Sequence, residues 1–213
     1  MYQSIDWDAL EQLATEQTYD PVFDSLDERF VPGEGDNPEA FIIGEAPGAQ
    51  EAMKGRPFVG SAGRIMRQLM AIAGLHADYG AYTIGHPLAG NANCWLTNVV
   101  KFRPPGNRNP TDAEIIAARH YIRREWKAVG SPQVIIPVGS IALQAITGKK
   151  QSILRAAGKM HLARSKTTGA DLFVWPMVHP SFGIRNPAVR PLLEKDWQAL
   201  AGWLDGQYRQ GRL

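Results

Sequence analysis

The chain has 213 residues, of which 44% are hydrophobic and 21% charged, a composition that fits one ordinary globular domain with a sizeable core. It contains no run of the roughly 18–20 apolar residues that a membrane span needs, its start lacks a signal-peptide pattern, and its single cysteine, Cys94, excludes an intramolecular disulfide and any site built from several thiolates. The formal net charge of +2 divides unevenly: residues 1–40 carry 11 acids and one base, residues 41–213 carry 22 bases and 10 acids.

A basic body suits a polyanionic partner, because neutralising phosphates releases counterions, although a solvated basic surface has the same composition. The acidic segment, about 1–38, either shields the basic face or sits elsewhere. The expected organisation is a single domain over 1–213, monomeric, with no membrane partner and with the cytoplasm as its compartment. Cys94, at the head of an apolar stretch, reads as a buried packing residue.

In chain order, apolar β-rich segments fall at 40–44, 95–100, 134–138 and 172–178. Runs that are apolar on both faces and lie far apart read as buried parallel strands. Helical patterns lie between them. Ser61 is a candidate cap for a helix over 61–74, with Ile65, Leu69 and Ile72 at helical spacing. Thr111-Asp-Ala-Glu114 is a capping box opening a helix that runs to about Val129. Shorter helical patterns cover 140–147 and about 188–205. Strands alternating with helices predict a three-layer α/β/α sandwich around a central, mainly parallel four-stranded sheet. Ligands in such folds bind at the carboxyl ends of the strands.

The strand ends carry the informative residues. The first strand ends in Gly44-Glu-Ala-Pro-Gly48, and the second in Asn98 with Pro104-Pro-Gly-Asn-Arg108 beyond it. The third ends in Gly139-Ser140, and the fourth in His179-Pro-Ser-Phe-Gly-Ile-Arg185. Glycine, proline and reactive polar residues thus converge on one edge of the sheet.

Gly44-Glu-Ala-Pro-Gly48, followed by Glu51 and Gly55-Arg-Pro-Phe58-Val-Gly-Ser-Ala-Gly63, resembles the first motif of the fourth, iron–sulfur family of uracil-DNA glycosylases. Thr97-Asn98-Val-Val-Lys101, running into Arg103-Pro-Pro-Gly-Asn-Arg-Asn-Pro-Thr111, is similar to its second motif. Val178-His179-Pro-Ser181, with Arg185-Asn-Pro187, is similar to its third. Gly33-Glu-Gly, Val138-Gly139 and Leu154-Arg155 with Gly158 are lesser matches. The resemblance covers about residues 30–205 and implies a DNA glycosylase that flips uracil out of DNA and hydrolyses its N-glycosidic bond, leaving an abasic site.

Asn98 offers an acceptor for uracil N3–H and a donor for O4 on one side chain, a pattern that cytosine opposes. Phe58 is expected to be the plate on which the base stacks. In the family the histidine matching His179 donates to uracil O2, where negative charge develops. Glu45 is the candidate for holding the water and offsetting sugar charge, since Ala46 stands where a better-known family has an aspartate. Glu51 is expected to line the pocket near uracil C5, or simply to open a helix. Lys101, Arg103, Arg108, Ser181 and Arg185 are expected to contact DNA, with Arg185 and an apolar neighbour filling the gap left by the flipped base.

The resemblance breaks at the family's four cluster cysteines. Phe102 occupies the third position and the N-terminal region has no cysteine, so no iron–sulfur cluster and no other cofactor is expected, with apolar packing around Phe102 in its place. No lysine is placed for a Schiff base, and no histidine follows the second motif as in covalent-trapping relatives, so simple turnover is expected. The stretch 76–93 reads as an extra loop. Two alternatives stay open: the same fold acting on hydroxymethyluracil, hypoxanthine or another modified base, and a non-catalytic DNA-binding module.

Overall fold

A computed structural model of the protein describes residues 23, 26, 29–75, 93–130, 132, 134–164 and 171–209. Most of the acidic segment and nearly all of the 76–93 stretch lie outside these residues. Among the described residues five strands form one sheet: β1 (Glu34–Gly44), β2 (Asn93–Asn98), β3 (Val134–Pro137), β4 (His161–Arg164) and β5 (Asp171–Val174), in the spatial order β2-β1-β3-β5-β4. β1, β2, β3 and β5 are parallel, and β4 runs antiparallel to β5 at the edge.

The four expected strands are thus joined by a fifth, β4. It carries a weak sequence signal because it is short and its Leu162 is 61% exposed. A largely exposed edge strand has no reason to be uniformly apolar. The four parallel strands are the apolar runs of the sequence, with β1 beginning earlier, at Glu34, and β2 ending at Asn98.

Seven helices accompany the sheet among the described residues: α1 (Ala49–Lys54), α2 (Ser61–Ile72), α3 (Asp112–Ala128), α4 (Ser140–Thr147), α5 (Ile153–Ala156), α6 (Pro180–Arg185) and α7 (Arg190–Arg209). Side chains alternate across a strand, and β1 shows the consequence. Ala40 and Ile42 join a core with Met66, Leu69 and Met70 of α2 and with Leu193, Trp197 and Leu200 of α7. Phe41 and Ile43 enter a second core with Ile115, Ala118 and Tyr121 of α3 and with Ala142 and Ala145 of α4. The architecture is the expected three-layer sandwich.

The capping box at Thr111 forms as its spacing predicts: Glu114 N–H donates to Thr111 Oγ1 and Thr111 N–H to Glu114 Oε2. Phe102 packs edge-on to Phe30 at 5.7 Å between ring centroids and tilted to Phe23 at 5.4 Å, with Tyr121 at 6.3 Å. The residues there supply rings and no thiolates, a donor set that does not fit an iron–sulfur cluster. Cys94 is fully buried, and burial pushes its thiol pKa up to about 12. Among the described residues no group of three or more His, Cys, Asp or Glu could hold a metal ion, and no helix is long and apolar enough to cross a membrane.

Candidate active site

From β1 the chain passes to β2 on one side and later to β3 on the other, so strand order switches beside β1. A crevice opens at the carboxyl end of the strands on either side of such a switch. Here that end carries Gly44, Asn98 and Gly139, and the loops beyond them enclose a cavity of about 690 Å³. Glu45, Glu51, Phe58, Asn98, His179, Ser181 and Arg185 all line it. These groups come from three segments far apart in the chain, one after β1, one at the end of β2 and one at α6, and meet only in the fold.

The floor is tightly built. A Cβ on Gly44 would lie 2.5 Å from the Phe58 ring and 2.5 Å from Asn98 Oδ1, so only glycine lets these two side chains approach over the end of β1. Asn98 is 3% exposed and ends β2. Phe58 has a φ of +50°, a left-handed conformation unusual for a non-glycine residue, and its ring faces that of His179 with centroids 6.1 Å apart and an interplanar angle of 29°. Gly63 admits this turn, since a Cβ there would be 1.9 Å from the Phe58 carbonyl oxygen.

Glu51 holds the same turn from beneath. Its Oε1 accepts from the backbone N–H groups of Val59 and Gly60, each at 2.8 Å, and its Oε2 accepts from Gly48 N–H at 3.1 Å. The carboxylate therefore ties the start of α1 to the residues just after Phe58. It reaches the cavity wall, but both oxygens face backbone donors. Glu51 thus opens α1 and also lines the cavity, as a bonded, half-buried carboxylate and not an exposed one.

His179 precedes α6 and acts as its cap through the ring. Its Nδ1 lies 2.8 Å from Ser181 Oγ and accepts from Ser181 N–H at 3.2 Å. Ser181 Oγ in turn accepts from the Arg185 guanidinium at 3.3 Å. With Nδ1 accepting, the ring proton resides on Nε2. Burial, with a smaller push from the Arg185 charge, lowers the His179 pKa to about 4, so the imidazole is neutral at physiological pH. Glu45 is half-buried, and that desolvation raises its carboxyl above the ordinary 4.5.

One expected DNA contact is overturned. Lys101 is fully buried, its Nζ donating to Glu125 Oε2 at 2.7 Å and to Thr97 Oγ1. A phosphate cannot reach it. Glu125 also accepts from Gly33 N–H at 2.9 Å, so the ion pair joins α3 both to the chain before β1 and to the segment after β2. Arg108 is exposed, but its guanidinium makes two bonds to Glu114 at 2.9 and 2.7 Å, which brace the loop before α3. Arg103 donates to Asn107 Oδ1 at 2.9 Å within the same loop. Ser181 and Arg185 stand at the cavity itself. Asn107 and Ser140, from strand-end segments that the sequence places at this edge of the sheet, also line the cavity, as do Asn109, Ile153 and Leu154, for which the sequence gives no comparable signal.

Comparison with known proteins agrees with this geometry. A family model described as the uracil DNA glycosylase superfamily matches residues 32–201. A type-4 uracil-DNA glycosylase of Sulfurisphaera tokodaii is 35% identical over 176 residues, covering 80% of this chain and 72% of that protein. A type-4 uracil-DNA glycosylase of Saccharolobus solfataricus is 34% identical, covering 79% of this chain and 73% of that protein. A type-5 uracil-DNA glycosylase of Thermus thermophilus is 36% identical over a shorter stretch, 55% of this chain and 54% of that protein. Relatives over four-fifths of the chain, and strand-end loops that bring Asn98, Phe58 and His179 to one cavity, lead to one conclusion: the chain belongs to the uracil-DNA glycosylase superfamily and is a DNA glycosylase without the cluster cysteines.

Proposed function

We propose that this enzyme flips uracil out of DNA and hydrolyses its N-glycosidic bond by a monofunctional mechanism, leaving an abasic site in an uncut strand. The observation that carries the reading is the presence of Asn98, Phe58, His179 and Glu45 around one cavity. An extrahelical base is read in a pocket by stacking and by hydrogen bonds to its edge. Phe58 supplies the stacking face, and the Asn98 carboxamide presents an acceptor to N3–H and a donor to O4.

As the bond between C1′ and N1 breaks, its electron pair passes to the base and negative charge grows on O2. The Nε2–H of neutral His179 donates to that oxygen, stabilising charge that develops in the transition state. Glu45, ionised, offsets the cationic sugar and orients a water, whose oxygen bonds to C1′ while its proton passes to the carboxylate or to solvent. Hydrolysis without strand cleavage is supported by the lining of the cavity. Among the described residues no lysine lines it, and Lys101 is tied to Glu125, so none of the described lysines presents its amine to the sugar.

The test uses single- and double-stranded oligonucleotides bearing uracil, thymine, hydroxymethyluracil or hypoxanthine, scored with and without alkali. Uracil release that needs alkali to reveal breaks, and that His179→Ala abolishes, is the expected result. Binding without release, or release of another base in preference, would overturn the reading.

A further inference from the structure

The cavity has a second lip, formed by α5 and the turn into β4, which the excision chemistry does not use. Its sequence is unusual in charge. From Trp126 to Ala170 the chain has no aspartate or glutamate, yet it carries seven lysines and arginines. Within that stretch, Ile153 packs against the core and Ala156 is buried, while Leu154 between them lines the cavity mouth and is 61% exposed. Arg155, Lys159 and Met160 are exposed beside it. The lip is anchored: Gly158 N–H donates to the Pro176 carbonyl at 3.1 Å, and the His161 ring bonds the Ala156 carbonyl at 2.9 Å.

We propose that this lip is a DNA-contacting surface, in which Leu154 packs against the nucleotides beside the flipped one and Arg155 and Lys159 contact the adjoining phosphates. It pairs with the Ile184-Arg185 lip of α6, where a 39% exposed isoleucine also precedes an arginine. Three large apolar side chains on this short segment, Leu154, Met160 and Leu162, are left in water, and such a grouping at the rim of a site marks a contact surface. The lip's own segment is basic and free of acids, although Asp196 of α7 lies against Gly158, and its net positive charge favours a polyanion over a protein or a lipid tail. Apolar side chains that replace lost stacking are a known device of proteins that distort DNA. The inference rests on the proposed excision of a flipped base, but its test does not require cutting.

The probe is a duplex carrying 2′-fluorinated deoxyuridine, whose glycosidic bond resists cleavage, and binding is measured from low to moderate salt. Arg155→Ala with Lys159→Ala should make the slope of log K against log salt less negative by about 1.8, the loss of two phosphate contacts on a duplex. Leu154→Ala should weaken binding about five-fold with the slope unchanged, and Leu154→Met should restore most of it. The melting temperature should stay at its wild-type value in all three, and inhibition by free uracil should stay unchanged in Arg155→Ala with Lys159→Ala, whose residues do not line the cavity. Unchanged affinity and slope would overturn the proposal. So would a wild-type dimer in sedimentation that Leu154→Ala or Leu162→Ala converts to monomer, since the lip would then serve a second copy of the chain. Wild-type failure to release uracil from a cleavable substrate would sink the functional reading separately.

Discussion

Replacing Glu51 separates a structural carboxylate from a chemical one. Its three backbone bonds, at 2.8, 2.8 and 3.1 Å, hold Phe58 in its left-handed turn. A hydrogen bond to a charged group contributes about 1.5–3 kcal/mol, and partial exposure here places each near or below the lower bound. Glu51→Ala should therefore destabilise the protein by about 3–4 kcal/mol, roughly 6–16 °C in melting temperature for a chain of this size. Glu51→Gln keeps an oxygen for Val59 and Gly60 and loses only the Gly48 bond, so about 1 kcal/mol is expected. Single-turnover excision of uracil should follow the same order, falling about 10- to 100-fold in Glu51→Ala through a loosened Phe58 and only a few-fold in Glu51→Gln. Thermal unfolding and single-turnover rates on the same preparations provide the check. If Glu51→Gln removes activity as completely as Glu51→Ala while melting near wild type, the negative charge itself acts on the substrate and Glu51 is not merely a staple.

Three further outcomes rest on the same geometry. Gly44→Ala inserts a methyl group 2.5 Å from both the Phe58 ring and Asn98 Oδ1; the cost to stability should be about 1–3 kcal/mol, with a loss of inhibition by free uracil measured by titration. Lys101→Met leaves Glu125 buried and unpaired, and denaturant unfolding should report about 3–5 kcal/mol of lost stability with no change in the salt dependence of DNA binding. The rate of excision should fall as pH drops through the raised pKa of Glu45, because its ionised form is the active one, present above that pKa and lost below it. That limb lies above 4.5 and should vanish in Glu45→Gln, while the His179 transition near 4 stays beneath it.

The parallel strands are legible in the sequence because both their faces are buried, so Ile42 and Ile43 look alike while pointing to opposite cores. The site is legible in part because glycine and reactive side chains crowd the strand ends. β4 is not, since an exposed edge strand needs no apolar run. Nor is the burial of Lys101: a lysine after a strand resembles a surface lysine until Glu125, on a distant helix, is brought against it. The bonds of Glu51 are hidden for a related reason, as backbone donors leave no mark in the residues that supply them. Arg108 shows the milder case, where Thr111-Asp-Ala-Glu114 announces the cap but not the guanidinium that shares its carboxylate.

Cys94 has a practical consequence. The chain's one thiol is sealed in the core with a pKa of about 12, so little thiolate is available to alkylating reagents while the fold is intact. The native protein is thus a ready background for single-site chemistry. A Leu154→Cys substitution would place the only accessible thiol at the cavity mouth, where a spin or fluorescent label could follow the arrival of DNA without removing any natural cysteine first.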